Sequence, residues 1–209
     1  MPDARVIDDA RSLAAYESDG LTAYRSRPLA VVLPGSTAEV AALLRFAARE
    51  GVPVVPRGAG TSLSGGAIPV GDAIVVGLGR FNRILEIDYD NRCVVAQSGV
   101  TNLAISHAVA ARGFYYAPDP SSQIACTIGG NVAENSGGVH CLKYGLTVHN
   151  VLRVRGVTID GEVIELGSAA LDGPGLDLLA LAIGSEGMLL VVTEATVKLV
   201  PKPQLARVV

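Results

Sequence analysis

The residues best suited to chemistry begin with a glycine-rich loop from Pro56 to Gly66, which directly follows an apolar segment. Its glycines let the backbone turn tightly and approach a ligand closely. Successive N–H groups then form a concave set of donors that suits phosphate oxygens, and Thr61, Ser62 and Ser64 add hydroxyl groups. The pattern predicts a phosphate-binding loop. The alternative interpretation is a glycine-rich surface turn that binds no ligand.

Two common phosphate motifs do not match this loop. A dinucleotide-binding G-x-G-x-x-G would need glycine at Leu63, and a P-loop would need lysine at Gly66. Any phosphate bound here is therefore expected to be held by backbone N–H groups and hydroxyls.

Two further segments have similar character. Pro118–Ser122 and Cys126–Gly138 combine small residues with asparagines, whose amides donate and accept and so suit the edge of a heteroaromatic ring. Gly184–Thr193 places a glycine-bounded turn before an apolar strand. Ordinary turns and an ordinary strand entry are the alternatives for these segments.

The histidines and cysteines do not predict a metal site. His140, Cys141 and His149 lie beside the second segment, but their spacing with Cys126 matches no zinc pattern. His107 falls within a predicted helix and is expected to be structural or exposed.

The elements that must position these segments begin with an α+β unit. Leu29–Leu33 predicts a buried strand, and a helix follows with Ser36 and Glu39 as a capping box and with Gly51 at its end. Its apolar face is predicted to be Val40, Leu43, Leu44 and Ala47. Strands are predicted from Val54, over Ala73–Gly77, Ile84–Asp88 and Cys93–Ala96, and a helix over 101–111.

The rest of the chain predicts a long functional loop and a second small unit. Residues 114–150 show little periodicity and are expected to be a loop. Val151–Ile159 and Val163–Leu166 are predicted to form a hairpin at Asp160-Gly161. The pattern then predicts a helix over Asp177–Ala182 and two strands, Leu189–Val192 and Thr193–Val200.

Composition excludes several classes of protein. The net charge is −3 with no basic run and no Trp, which disfavours a nucleic-acid partner. Three widely spaced cysteines favour a reducing compartment over a disulfide framework, and a buried role is expected for Cys93. The N-terminus lacks a signal-peptide pattern, and no apolar run is long enough to span a membrane. A cytoplasmic location is expected, with peripheral association at the inner membrane only through a partner.

The three segments together resemble a known family. P-R-G-x-G-T-S-L-x-G, P-D-P-S-S…T-I-G-G-N-x-A-x-N-x-G-G and G-S-E-G followed by V-V-T occur in the order found in the FAD-binding domain of the vanillyl-alcohol oxidase (PCMH-type) superfamily. The likeness extends from about Tyr16 to Pro203. The stretch Asn135–Gly145 is most similar to the group that contains glycolate oxidase, D-lactate dehydrogenase and D-2-hydroxyglutarate dehydrogenase, and within it to the glycolate oxidase branch.

The resemblance implies a fold, a cofactor and a set of contacts. The fold would be α+β, with a lead-in over residues 1–27 and a two-subdomain FAD-binding domain over 28–209, its subdomains being about 28–113 and 114–203. The cofactor would be noncovalent FAD between the two subdomains. The implied cofactor-binding residues are Pro56, Arg57, Gly58, Ala59, Gly60, Thr61, Ser62, Ser64, Gly65, Pro118, Asp119, Ser121, Thr127, Gly129, Gly130, Asn131, Ala133, Asn135, Gly137, Gly138, Gly187, Val191 and Val192.

The implied activity is oxidation of a D-2-hydroxy acid such as glycolate or D-lactate by hydride transfer to flavin N5, with electrons passing to a quinone, a cytochrome or a partner chain. Relatives continue into a substrate-binding cap domain, which is expected to be absent here, so no catalytic base is assigned. The alternatives are a noncatalytic FAD-binding module that needs a partner chain, and the same fold with a different reaction. Met188 and Leu190 stand where the family usually has Thr and Gly, and Leu190 is expected to crowd the cofactor or shift the strand.

Overall fold

The computed structural model describes residues 5–168 and 175–203. Their strands are β1 (Val6–Ile7), β2 (Ala30–Val32), β3 (Val54–Arg57), β4 (Ile74–Gly77), β5 (Ile84–Asp88), β6 (Cys93–Gln97), β7 (Phe114–Tyr115), β8 (Val151–Val157), β9 (Val163–Gly167), β10 (Val191–Lys198) and β11 (Val200–Pro201). Their helices are α1 (Ala10–Leu13), α2 (Thr37–Glu50), α3 (Asn102–Val109), α4 (Ile128–Glu134), α5 (Cys141–Tyr144), α6 (Thr147–Asn150) and α7 (Leu178–Ala182). The last six residues of the expected domain lie outside the described residues.

The first sheet has the strand order β1-β2-β4-β3 and is built around a βαβ unit. β2 and β3 both pair in parallel with β4, while β1 joins β2 antiparallel. All four residues of β4 are buried, as expected for a central parallel strand. Helix α2 connects β2 to β3. The glycine-rich loop from Pro56 to Gly66, the phosphate-loop candidate, therefore begins at the carboxyl end of the parallel strand β3.

Helix α2 has the predicted bounds and apolar face. Gly51 ends it with φ 66°, a left-handed conformation that favours glycine. At its start, the Ser36 hydroxyl accepts a hydrogen bond from Glu39 N, as the capping box requires. The Glu39 carboxylate, however, accepts from Gly35 N at 2.7 Å and pairs with Arg5, so it secures the turn before the helix to the segment that carries β1.

The second sheet is antiparallel, in the order β5-β6-β10-β8-β9. Strands β8 and β9 form the predicted hairpin, and Gly161 in its turn has φ 75°. The two strands predicted over Leu189–Val192 and Thr193–Val200 are wrong in their division: β10 is one strand, paired with β6 on one side and β8 on the other. A register shift between Val192 and Glu194 bends it without interrupting it.

The sheets divide the chain earlier than the subdomain boundary expected near residue 113. β5 and β6 belong to the second sheet because β6 pairs with β10, about a hundred residues later. The change of sheet therefore falls between Gly77 and Ile84. Local patterns found these strands but carried no information about this distant pairing.

Residues 114–150 are not the expected loop. Helix α4 lies within this stretch, with Thr127 as N-cap and Asn135 (φ 51°) as C-cap. Ile128 and Val132 are fully buried in the core of the second sheet. The Gly129-Gly130 pair lowers helix propensity, so tertiary burial stabilises this helix more than its sequence does.

Of the two main packing regions, one forms the core of the second sheet and the other joins the two sheets. The larger core joins β6, β8 and β10 to α3 and α4. A second cluster places Val40 and Leu44 of α2 against Val157 of β8 and Val191 of β10. This contact brings the carboxyl end of β3 beside the entry to β10, which is where two of the glycine-rich segments lie. In the described part of the chain no helix is both long and apolar enough to cross a membrane.

Candidate functional site

A cleft of about 220 Å³ lies where the three glycine-rich segments meet. The loop after β3 forms one wall, α4 and the residues before it form another, and the turn before β10 closes the third side. The lining residues are Pro56, Arg57, Gly58, Ala59, Gly60, Thr61, Ser62, Leu63, Ser64, Gly66, Ala67, Leu78, Ser98, Ser122, Cys126, Thr127, Gly129, Gly130, Asn131, Ala133, Glu134, Ser136, Glu186, Gly187, Leu190, Val191 and Val192.

The loop wall is supported from below by Arg57. This side chain is 8% exposed, and its Nη1 donates to the Ala67 carbonyl at 3.0 Å. Its guanidinium lies 5.7 Å from the ring centre of Tyr16 and would overlap any Cβ placed on Gly60. Burial lowers the pKa of Arg57, while Tyr16 and Asp19 oppose that shift. The guanidinium therefore supports the loop, and its contacts are made mainly within the protein rather than with a ligand.

The lead-in segment holds the same loop from behind. Asp19 is 5% exposed, and its carboxylate accepts from Leu21 N at 2.9 Å and from Gly65 N at 3.0 Å. Gly20 N donates to the Ser62 carbonyl at 2.9 Å. These bonds leave the opposite side of the loop free to face the cleft.

The α4 wall approaches the loop closely at two glycines. A Cβ on Gly58 would overlap the Thr127 hydroxyl, which itself caps α4 by accepting from Gly130 N at 3.3 Å. A Cβ on Gly129 would lie 2.6 Å from Ser98 Cβ, and Gly129 N donates to the Ser98 carbonyl at 2.8 Å. Close approach of the Ser98 residue therefore requires glycine at position 129, and the capping Thr127 hydroxyl occupies the space that a side chain at position 58 would need.

The third wall is tied to the end of α4. Gly184 N donates to the Val132 carbonyl and Glu186 N to the Ala133 carbonyl, both at 2.9 Å. Glu186 has φ 52°, a left-handed conformation that is unfavourable for residues other than glycine. The hydrogen bonds to α4 hold it in this conformation. A Cβ on Gly187 would lie 2.5 Å from Pro56 Cγ, so the turn fits directly against the phosphate-loop candidate.

Leu190 does not project into open space. It is 4% exposed, and its Cδ1 occupies the position that a Cβ on Gly156 of β8 would need. Leu190 still forms part of the cleft wall and also lines a neighbouring, mostly apolar cavity of about 490 Å³. The Met188 side chain is 82% exposed and lines that second cavity.

The charges in the cleft are unusual for a phosphate site. Arg57 is the only Lys or Arg among the lining residues that the structure describes, and Glu134 and Glu186 add two carboxylates. Both carboxylates approach Gly66. A Cβ placed on Gly66 would lie 3.2 Å from Glu186 Oε2 and 3.5 Å from Glu134 Oε1. A phosphate here would depend on neutral N–H and O–H donors rather than on a free cation.

Most residues assigned to the site from sequence lie in the cleft lining. Those brought together are Pro56, Arg57, Gly58, Ala59, Gly60, Thr61, Ser62, Ser64, Thr127, Gly129, Gly130, Asn131, Ala133, Gly187, Val191 and Val192. Those outside the lining are Gly65, Pro118, Asp119, Ser121, Asn135, Gly137 and Gly138.

The residues outside the lining have structural contacts of their own. Asp119 accepts from His140 N at 3.1 Å and pairs with His140 Nδ1 at 2.7 Å. The Asn135 amide oxygen accepts from Val148 N at 3.0 Å. Gly65 lines the neighbouring cavity instead. Asp119 and Asn135 thus hold the segment after α4 in place.

Sequence reasoning missed other lining residues: Leu63, Gly66, Ala67, Leu78, Ser98, Ser122, Cys126, Glu134, Ser136, Glu186 and Leu190. Most of them lie inside or beside the recognised segments, so a wider assignment would have included them. Leu78 and Ser98 differ, because each simply follows a strand, β4 or β6, with no motif around it.

Cys126 is a titratable group of the cleft, and other titratable groups lie outside the cleft lining. Cys126 lines the cleft at 4% exposure, and burial raises the pKa of its thiol against the opposing effect of Ser122 and Asn131. Outside the lining, burial and Tyr144 raise the pKa of Tyr115 to about 12. Tyr115 and Lys143 in turn lower the pKa of Tyr144. His107 is exposed on α3, and Cys93 is buried in β6, both as expected.

Comparison with known proteins gives a consistent set of similarities. The model of the FAD binding domain family matches residues 28–167. The glycolate oxidase subunit GlcD of Escherichia coli (strain K12) is 59% identical over 208 residues, which are 100% of this chain and 42% of that protein. The D-lactate dehydrogenase of Archaeoglobus fulgidus is 41% identical over 82% of this chain and 39% of its own length. The D-2-hydroxyglutarate dehydrogenase of Xanthomonas citri is 37% identical over 97% of this chain and 43% of its own.

Solved structures give the same fold. A chain described as alkyldihydroxyacetonephosphate synthase superposes with a TM-score of 0.86 at 27% identity, covering 98% of this chain and 39% of that one. The present chain spans about 40% of the length of the curated relatives it matches.

Proposed function

Because the chain belongs to the FAD-binding domain family, matched over two thirds of its residues, we propose that it holds the FAD of an enzyme that oxidises a D-2-hydroxy acid of the glycolate or D-lactate type. The observation that carries the proposal is the cleft at which all three glycine-rich segments meet. Its relatives named for glycolate oxidase and D-lactate dehydrogenase support the substrate class.

Two features of the cleft support the binding of a dinucleotide cofactor. Gly58 and Gly129 carry no side chain where the walls contact each other, and two buried polar atoms, Ser98 Oγ and Asn131 Nδ2, make no hydrogen bond of regular geometry among the described residues. Unsatisfied buried donors are rare in folded proteins, so they support a ligand with acceptor atoms. On this proposal the loop from Pro56 to Ser64 binds the pyrophosphate through N–H and hydroxyl groups.

The proposed contacts follow the geometry rather than the full set assigned from sequence. The lining residues of α4 and of the turn before β10 would face the flavin and the adenosine parts. Pro118, Asp119, Ser121, Asn135, Gly137 and Gly138 would act by holding these walls, and Gly65 through its bond to Asp19. The domain is proposed to extend from residue 28 to 209, with its two subdomains meeting at the change of sheet.

We propose that FAD is held noncovalently. Covalent attachment needs a nucleophilic His or Cys at the flavin, and no histidine is among the described lining residues. Cys126 is, but the raised pKa of its buried thiol disfavours the reactive thiolate.

FAD supplies the redox chemistry as the acceptor of hydride from the substrate's α-carbon, and the protein supplies binding and orientation. The cleft residues would fix the cofactor and exclude water from its buried face. Electrons would then pass to a quinone, a cytochrome or a partner chain. The three free cysteines agree with a reducing compartment, and we propose a cytoplasmic location.

The reaction is tested by anaerobic mixing of the FAD-loaded protein with glycolate, D-lactate or L-lactate. Bleaching of the flavin absorbance is expected with glycolate or D-lactate and not with L-lactate. Bleaching by L-lactate alone, or by NADPH in place of any hydroxy acid, would contradict the assigned substrate class.

A second candidate is a noncatalytic FAD-binding module that acts with a partner chain. The observation that favours it is the chain's span of about 40% of its curated relatives. The same experiment separates the two: FAD binding without bleaching by any hydroxy acid, restored by addition of the remaining part of a relative, indicates the module.

A further inference from the structure

Ser98 and Asn131 each bury a polar side-chain atom in the wall of the cleft. The two residues are 1% and 2% exposed, and Ser98 Oγ has no hydrogen-bond partner in the described part of the chain. Asn131 Nδ2 makes no hydrogen bond of regular geometry there either, although its side chain lies close enough to the Cys126 thiol to lower that group's pKa. Both line the cleft. A buried polar atom without a partner destabilises a folded protein. Among the described residues with such an atom, Ser98 and Asn131 are the ones that line the cleft, which favours a ligand as the missing partner.

The surrounding backbone holds both residues rigidly. Ser98 N donates to the Thr193 carbonyl of β10 at 2.9 Å, and the Ser98 carbonyl accepts from Gly129 N at 2.8 Å. Asn131 N donates to the Thr127 carbonyl at 2.9 Å within α4. Neither side chain is therefore placed by chance at the end of a mobile loop.

The chemistry of the two atoms specifies their ligand. An amide nitrogen of Asn can only donate, so Asn131 Nδ2 requires an acceptor, and a serine hydroxyl can donate beside it. The cleft offers no free cation among its described lining residues, since Arg57 is engaged beneath the loop. An anionic ligand in the cleft would therefore have to accept hydrogen bonds from neutral donors.

We propose that Ser98 Oγ and Asn131 Nδ2 donate hydrogen bonds to the pyrophosphate oxygens of the bound FAD, which makes Ser98 an affinity-determining residue outside the three glycine-rich segments. Their position favours phosphate over the flavin ring, because Gly129 packs on Ser98 and Thr127, two residues earlier, contacts Gly58 at the start of the phosphate loop. This inference rests on the proposed binding of FAD in the cleft.

The test measures dissociation constants of the full chain for FAD, ADP and riboflavin, with Ser98→Ala against the unmodified protein. Loss of a hydrogen bond to a charged group predicts FAD and ADP binding about tenfold weaker, with riboflavin unchanged. The thermal stability of the cofactor-free protein is expected to be unchanged or higher, because the substitution removes an unsatisfied buried hydroxyl.

Thr158→Ala is the matched control. Thr158 Oγ1 is also buried without a partner among the described residues, but it lies in the turn after β8 and does not line the cleft. It is expected to change cofactor-free stability like Ser98→Ala and to leave all three dissociation constants unchanged.

The outcomes separate the inference from the proposed function. FAD binding by the unmodified protein together with unchanged binding by Ser98→Ala overturns the inference alone. Weaker riboflavin binding assigns the contact to the flavin ring and overturns the phosphate assignment. A marked loss of cofactor-free stability in Ser98→Ala would indicate a structural role and overturn the inference. Absence of FAD binding by the unmodified protein overturns both proposals.

Discussion

Where the loop after β3 meets helix α4, the Thr127 hydroxyl occupies the space of a side chain on Gly58. A Cβ on Gly58 would overlap the Thr127 hydroxyl, so either Thr127 would rotate out of its capping position or the loop would move away from α4. Gly58→Ala is therefore expected to weaken FAD binding at least about tenfold, because the donors on the two walls no longer converge. The measurement is a titration of the cofactor-free protein with FAD.

Gly71→Ala serves as the control for this substitution. Gly71 lies between the same loop and β4, and a Cβ there would meet no atom within 4 Å. Its variant should bind FAD like the unmodified protein. Equal binding by both variants would show that the Gly58–Thr127 contact does not shape the site.

Some residues of the cleft can be recognised in the sequence and others cannot. The glycines of the three segments stand out because backbone turns and close approaches require them, and most of them lie in the cleft. Ser98 carries no such signal, because a serine after a strand is common. Its importance depends on a neighbour, Gly129, that is distant in the sequence.

Among the elements, the lead-in segment has a defined role in holding the phosphate loop. Asp19 accepts from Gly65 N, and Gly20 N donates to Ser62, so two bonds connect the segment to the loop. Asp19→Asn replaces an acceptor oxygen with a donor and is expected to weaken FAD binding several-fold. Hydrogen exchange of residues 58–66 should become faster at the same time.

Glu17→Gln is the matched control in this segment. Among the described residues its carboxylate pairs with the exposed Arg27 and makes no contact with the loop. Glu17→Gln should leave both FAD affinity and hydrogen exchange of the loop unchanged. If Asp19→Asn also leaves both unchanged, Asp19 does not hold the loop in place.

The start of helix α2 predicts a specific dependence of stability on pH. The Gly35 N–H and the Arg5 guanidinium lower the pKa of Glu39 from its ordinary value of 4.5, against an opposing effect of burial. A lowered folded-state pKa stabilises the fold above the unfolded value, and this contribution is lost as pH falls through the folded pKa. Glu39→Gln should therefore be less stable than the unmodified protein near pH 7 and approach it at low pH.

Denaturant unfolding at neutral and acidic pH measures this difference. Glu50→Gln, at the other end of α2, provides the comparison because Glu50 pairs only with its exposed neighbour Arg49 among the described residues. A Glu39→Gln deficit that persists undiminished at low pH would contradict the assigned cause.

Elements differed in how far sequence could predict them. Helix α2 and the β8–β9 hairpin follow from local caps, turns and periodicity. Helix α4 does not, because its paired glycines disfavour a helix and burial of Ile128 and Val132 supplies the missing stability. The pairing of β6 with β10 depends on contacts between distant residues, which no local pattern encodes.

For the whole molecule, the cleft depends on the placement of two sheets. Val40 and Leu44 of α2 pack against Val157 and Val191, which fixes the β3 end of the first sheet beside the β10 entry of the second. The three segments are far apart in sequence, so the family resemblance indicated a common site that periodicity alone could not. The contact between the sheets explains how they meet.

The most direct test of the central claim is the visible absorption spectrum of the purified protein, recorded before and after acid precipitation. The account predicts flavin bands in the folded protein that move into the supernatant when the protein is precipitated. Flavin bands that remain in the pellet would contradict noncovalent binding, and a colourless protein that takes up no added FAD would contradict the assignment of the cleft itself.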